Sequence, residues 1–223
     1  MYTKELIREN IARIRSELDG RALLLAATKT IPPELINYAA DCGITVIGEN
    51  RADELLEKYD RIDRDRLDIQ FIGHLQTNKV RKIIDKVSMI HSLDSLPLAE
   101  EIEKQASKRG IRMRVLIEVN LGNEISKSGM PLEEAEPFLE KIAGMAHLIP
   151  SGLMAVPPKA DDPEDNRKLF QKIYQLFIDI LHKNEDNKEW RYLSIGMSGD
   201  YLFAVENGSN LVRIGSAIFG PRS

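Results

Sequence analysis

Lys29 follows the apolar run Ala22 to Thr28 (ALLLAAT), which places one amine at the end of a strand buried on both faces. Such a lysine either points to water or sits partly desolvated among the loops around it. Desolvation disfavours the ammonium form, and a neutral amine condenses with an aldehyde to form a Schiff base. Two glycine-rich turns near the C-terminus offer a second chemistry. Leu211-Val212-Arg213-Ile214-Gly215-Ser216 reads as a strand, a glycine and a helical turn, and Ser194 to Asp200 (SIGMSGD) also leads into a helix. Read as plain turns, these glycines do nothing more. Read as a pair, their backbone N–H groups and the Ser216 hydroxyl suit a phosphate. Arg213 lies two residues before Gly215 and so on the same strand face. A charge in an apolar strand needs a partner. That partner is either an internal acid such as Glu118 or Glu49, or a ligand ring nitrogen that a permanently protonated guanidinium would keep unprotonated.

These residues need elements to position them. Helical spacing runs from Thr3 to Leu18, with Thr3 as N-cap and Asp19-Gly20 as stop. Apolar runs then alternate with amphipathic segments. The predicted strands are Ala22–Thr28, Ile44–Gly48, Ile69–Gly73, Ser88–Ser92, Arg112–Asn120, about Gly152–Val156, Arg191–Ile195 and Leu211–Ile214. Helices are predicted over about 33–42, 51–59, 77–85, 96–109, 131–145, 163–182, 200–206 and 216–219. Alternating βα units imply a parallel sheet. Eight of them imply a single closed (β/α)8 TIM barrel with an extra N-terminal helix, as one domain over residues 1–223. A doubly wound open sheet is the rival, but no G-x-G-x-x-G follows the first strand. Functional groups of such a barrel sit at the C-terminal strand ends. Here those positions hold Lys29, Glu49, Asn50, His74, His91, Ser92, Glu118, Asn120, Met154, Ser198, Gly215 and Ser216.

Composition narrows the function. With 31 Lys plus Arg, 35 Asp plus Glu and a formal net charge of -4, the chain lacks the basic surface that nucleic acid or an anionic membrane would require. The N-terminus shows no signal-peptide h-region, and no apolar stretch approaches a membrane span. One cysteine, Cys42, excludes an internal disulfide, reads as structural and suits a reducing, cytoplasmic setting. The four histidines show no metal-binding spacing, so no metal is expected. His147 falls on the stability face of the barrel and His182 near a helix C-terminus. The charged runs Lys159–Asp165 and Lys183–Glu189 read as solvated.

With these residues in place, the sequence closely resembles the YggS/PROSC family of pyridoxal phosphate homeostasis proteins, which share the barrel of the alanine racemase N-terminal domain. The segments carrying the resemblance are ATKT at Ala26–Thr30, IGEN at Ile47–Asn50, FIGHLQTNK at Phe71–Lys79 and IHSLD at Ile90–Asp94. They continue with Glu118-Val119-Asn120, SKSG at Ser126–Gly129, Gly152-Leu153-Met154, GMSGD at Gly196–Asp200 and VRIGSAIFG at Val212–Gly220. The G-H-L-Q-x-N-K and G-M-S-x-D…R-I-G-x-A-I-F-G stretches are specific; a lone lysine is not. One departure is Ile69-Gln70, where many members carry an aromatic just before F-I-G-H.

The resemblance implies pyridoxal 5'-phosphate as cofactor, held as a covalent imine on Lys29. It implies phosphate contacts from Ser198, Gly215 and Ser216, and Arg213 near the ring nitrogen. Asn50, His74, Ser92 and Met154 match family positions expected to line the pocket. Alanine racemase needs a second base, which that family takes from a tyrosine on a separate β-domain. The present sequence ends just after the last helical turn, so the expectation is a non-enzymatic, monomeric carrier that buffers the cofactor or passes it to apo-enzymes. A weak amino-acid racemase is the alternative. A third reading is a phosphate-binding barrel enzyme without this cofactor, using His74 or His91 as acid–base.

Overall fold

A computed structural model describes residues 3–122, 128–183 and 189–221. Eight parallel strands close into a barrel in sequence order, with β8 (Leu211–Ile214) pairing back onto β1 (Leu23–Ala27). Between them run β2 (Val46–Glu49), β3 (Asp68–Phe71), β4 (Met89–Leu93), β5 (Met113–Val119), β6 (Leu148–Ala155) and β7 (Tyr192–Ser194). The barrel and its extra leading helix are thus the architecture read from the alternating runs.

The leading helix α1 (Lys4–Leu18) buries Ile7, Ile11, Ile14 and Leu18 on one stripe. The Thr3 hydroxyl accepts from the Leu6 N–H, and Asp19 ends the helix in the left-handed region. The crossover helices follow in order: α2 (Pro33–Asp41), α3 (Ala52–Lys58), α4 (Thr77–Ile83), α5 (Leu96–Arg109), α6 (Ala135–Ile142), α7 (Arg167–Lys183), α8 (Tyr201–Glu206) and α9 (Ser216–Phe219). Their apolar faces and the outward faces of the strands make one continuous core. Inside the barrel, Leu25, Val46, Ile72 and Leu211 form one apolar cluster, and Met89, Leu116 and Met154 another.

Most element ends shift by one to three residues from the sequence expectation, and three of the differences have a visible physical cause. Helices expected over 131–145 and 163–182 each begin as a 3-10 turn, at Leu132–Glu134 and Pro163–Asn166, before the α-helix proper. In both cases a proline opens the segment and removes the first N–H. The sixth strand starts at Leu148 instead of Gly152. Pro150 cannot donate to a ladder and so reads as a strand breaker, but a register shift between β5 and β6 absorbs it. Gly152 itself is required: its φ is +146°, and a Cβ there would meet the Tyr192 carbonyl oxygen at 1.8 Å. Ser126 and Lys127 of the SKSG segment, and most of the Lys183–Glu189 run, lie outside the described residues.

Candidate functional site

Strand alternation sends every second side chain into the barrel. On β8 those positions are Leu211 and Arg213, with Gly215 following; on β1 they lead through Leu25 and Ala27 to Lys29. The register aligns Leu25 with Arg213. Barrel closure thereby brings the two ends of the chain to one place. A cavity of about 390 Å³ opens there, lined by Lys29, Asn50, Ser198, Gly199, Arg213, Gly215 and Ser216, with Ala27, Ile72, Met197 and Val156 as its apolar walls.

The turns after β7 and β8 converge on a single oxygen. The Ser198 hydroxyl oxygen accepts from the Gly215 N–H at 3.3 Å and from the Ala217 N–H at 3.1 Å. A Cβ on Gly199 would meet nothing within 4 Å, so the backbone there faces open space. The Asp200 carboxylate accepts from the Met197 N–H at 2.6 Å and holds the turn. Burial raises the Asp200 pKa.

Arg213 is 5% exposed and makes no ion pair among the described residues. Neither Glu118 nor Glu49 touches it. Its Nη1 donates to the Ser194 carbonyl and to the Ser194 hydroxyl, both at 2.6 Å, and its Nη2 donates to the Ala155 carbonyl at 3.0 Å. Burial pulls its pKa down to about 10, against the opposing pull of Glu118 and Asp200, so it stays charged at neutral pH.

The residues flanking Lys29 are tied down from below. The Thr28 hydroxyl donates to Glu49 Oε1 at 2.7 Å, and the Thr28 carbonyl accepts from Lys58 Nζ at 2.9 Å. Lys58 also reaches Glu49 and Glu54, and the Thr30 N–H donates to Glu54. Thr30 has φ of +65°, a conformation that few non-glycine residues adopt. Glu49 is fully buried, and burial raises its pKa despite Thr28 and Lys58.

Lys29, Asn50, Ser198, Arg213, Gly215 and Ser216 therefore meet in one cavity. The remaining sequence-named residues stand apart from it. Met154 is buried in the barrel beside Met89 and Leu116, and Ser92 is fully buried on β4. His74 lines a neighbouring groove of about 700 Å³ that shares Asn50 with the cavity. Its Nδ1 lies 3.2 Å from the Ser128 hydroxyl and 3.7 Å from Asp94. Asn50 Oδ1, Ser92 Oγ and Glu118 Oε2 are buried without hydrogen-bond partners among the described residues. Burial first, then Asp94, pushes Glu118 up to about 7, against the pull of Arg213.

Three things therefore meet at the mouth: an amine, a pair of N–H groups converging on one oxygen, and a buried guanidinium. The barrel class is that of the alanine racemase N-terminal domain, whose family model matches residues 4–223. A pyridoxal phosphate homeostasis protein of Aquifex aeolicus is 44% identical over 201 residues, covering 90% of this chain and 87% of the relative. The chain belongs to the family of pyridoxal phosphate homeostasis proteins. The solved structure of PipY from Synechococcus elongatus with PLP bound superposes with a TM-score of 0.87 at 28% identity, covering 96% of this chain and all of that one. An alanine racemase from Streptomyces lavendulae shares the fold, with a TM-score of 0.76 at 20% identity over 99% of this chain and 58% of the racemase.

Proposed function

We propose that this chain binds pyridoxal 5'-phosphate as a reversible Schiff base on Lys29 and serves vitamin B6 homeostasis as a carrier. The observation that carries the reading is the donor set of the cavity. Lys29 lines the same pocket as Gly215 and Ser198, on whose hydroxyl the Gly215 and Ala217 N–H groups meet. Those groups fit a phosphate, because oriented backbone donors suit an anion. The partnerless Asn50 Oδ1 on the wall is a buried polar atom that a ligand would satisfy. When bound, the cofactor would supply the aldehyde carbon that the Lys29 amine attacks, with loss of one water.

The protein's own groups then have distinct tasks. Gly215, Ser216, Ala217 and Ser198 grip the phosphate, and Arg213 presents a fixed positive charge to the ring nitrogen. Such a charge opposes protonation of that nitrogen and leaves the ring a poor electron sink. That supports holding the group over turning over amino acids on it. Asn50 bounds the ring side of the pocket. We place His74, Ser92 and Met154 as outer contacts, on the strength of the sequence match alone. Relatives named for pyridoxal phosphate homeostasis support the cellular role. In this reading residues 1–223 act as one cofactor-binding domain, a cytoplasmic monomer that buffers the vitamer and passes it to apo-enzymes.

The test is covalent trapping. Borohydride reduction of the loaded protein, followed by peptide mass mapping, should place the pyridoxyl group on Lys29, and Lys29→Ala should lose the yellow colour. A bare Lys29 in the presence of excess cofactor sinks the proposal. Chiral analysis after incubation with L- and D-amino acids addresses catalysis, and turnover at ordinary enzymatic rates would replace the carrier reading with a racemase.

A further inference from the structure

A thread of polar side chains crosses the barrel interior, beside Glu118 on β5, whose charge, like that of Asp200, also acts on Arg213. Asp68 and Gln70 on β3, His91 on β4, Ser194 on β7 and Arg213 on β8 are linked in a row. Gln70 Nε2 donates to Asp68 Oδ2 at 2.8 Å. Gln70 Oε1 lies 2.7 Å from His91 Nε2, and His91 Nδ1 lies 3.3 Å from the Ser194 hydroxyl, which Arg213 Nη1 reaches at 2.6 Å. We propose that Ser194, His91 and Gln70 are positioning residues for Arg213, forming a one-directional relay anchored on Asp68 that fixes the guanidinium at the cofactor pocket. The proposal rests on the carrier reading above, because it gives that guanidinium a ligand to face.

The direction of the relay follows from its ends. A carboxylate only accepts and a guanidinium only donates. With the Gln70 amide nitrogen turned to Asp68, its carbonyl oxygen must accept from His91, so the imidazole proton is on Nε2. His91 Nδ1 is then bare and accepts the Ser194 hydroxyl proton, and the Ser194 oxygen accepts from Arg213. Every link is satisfied in this one arrangement. A charged imidazole would break it, because both nitrogens would donate and the Ser194 proton would have no acceptor. Complete burial and the nearby Arg213 charge both hold the His91 pKa well below its usual value, which agrees with the neutral form.

Apolar side chains of similar volume at these positions would be expected to stabilise the barrel as well as the thread does. Polar groups in a core rarely stabilise more than apolar side chains of similar volume, and Met89, Leu116 and Met154 fill the neighbouring positions without them. Its one buried charged terminus is Arg213, and its effect there is specific. Ser194 takes both Nη1 protons and Ala155 takes one from Nη2, which leaves two of the five guanidinium N–H groups without a partner among the described residues. A guanidinium fixed in this way is preorganised, and its partners in the relay are polarised in one sense.

The test combines nuclear magnetic resonance of the unaltered protein with two variants. Nitrogen-15 shifts of His91 should report the neutral Nε2–H tautomer from pH 6 to pH 8; an Nδ1–H tautomer or a titration in that range overturns the relay. Ser194→Ala and His91→Leu should each weaken pyridoxal 5'-phosphate binding about tenfold, the loss expected for a buried hydrogen bond to a charged group. Both should also move the pH midpoint of the bound chromophore's absorbance by about half a unit or more, an effect that simple loosening of the core would not produce. Ser194→Thr keeps the hydroxyl and should bind like the parent. Parental affinity and midpoint in Ser194→Ala overturn the proposal, whether or not His91→Leu folds. Borohydride trapping on Lys29 in the parent separates the two readings, since its absence fails the carrier proposal and not the relay.

Discussion

Lys58 Nζ lies 3.2 Å from Glu49 Oε1 and 2.9 Å from the Thr28 carbonyl, so one ammonium group joins the second strand to the residue that precedes Lys29. The pair is buried, with the Lys58 side chain 11% and the Glu49 side chain 0% exposed. A buried pair of this kind contributes modestly as a pair, but removing one partner is expensive.

Lys58→Met should therefore cost about 3 kcal/mol, since it strands the Glu49 carboxylate in the interior. Urea unfolding of the cofactor-free protein checks this. The double variant Lys58→Met/Glu49→Gln should recover much of the loss, and a loss below about 1 kcal/mol in the single variant would contradict a clamp at this position.

Glu118 gives a pH dependence whose sign is fixed. Its folded pKa of about 7 lies above the usual 4.5 of a free glutamate carboxyl. The folded state therefore holds a proton that the unfolded state has lost, and this group's contribution to stability falls as pH rises from 4.5 to about 7. The full effect is about 3 kcal/mol. Glu118→Gln should be markedly more stable than the parent at pH 8 and close to it at pH 5. Thermal unfolding at the two pH values reads the difference, and an equal gain at both would rule out titration of Glu118.

Ser198→Ala removes the oxygen on which the Gly215 and Ala217 N–H groups converge. The loss of this cap should cost about 1 kcal/mol of stability. It should also weaken pyridoxal 5'-phosphate more than pyridoxal, because only the former carries the anion. Equal weakening of the two in a fluorescence titration would argue against a phosphate grip in these turns.

Gly152→Ala forces a Cβ against the Tyr192 backbone at a φ of +146°. The clash cannot be relieved by a side-chain rotation, so a loss of more than about 3 kcal/mol is expected. A soluble, cooperatively folding Gly152→Ala protein with parental midpoint would show that β6 and β7 can separate there.

Much of this was legible in the residues. Lys29, Arg213 and the glycine turns stand at strand ends, and a barrel gives strand ends one destination. The Ala217 N–H was not legible, because a backbone donor leaves no mark in residue type. Nothing in the residue type of Lys58 marks it as buried, although its i,i+4 spacing from Glu54 was a signal of pairing. The thread through Gln70 and Ser194 was missed for another reason. Each is a single polar residue in a short apolar strand, and only the barrel's closure shows that they face one another. Inward polar positions on several strands were the available sign. The choice offered for Arg213, an internal acid or a ligand, left out the partners it has, which are two backbone carbonyls and a serine hydroxyl.

The pairing of β8 with β1 has a consequence for synthesis. Lys29 leaves the ribosome well before Arg213 and Gly215, which lie on the far side of six further strands. A nascent chain that has not yet reached β8 has its lysine but neither the guanidinium nor the second turn. The cavity at the barrel mouth is therefore complete only once β8 has been made and has closed against β1.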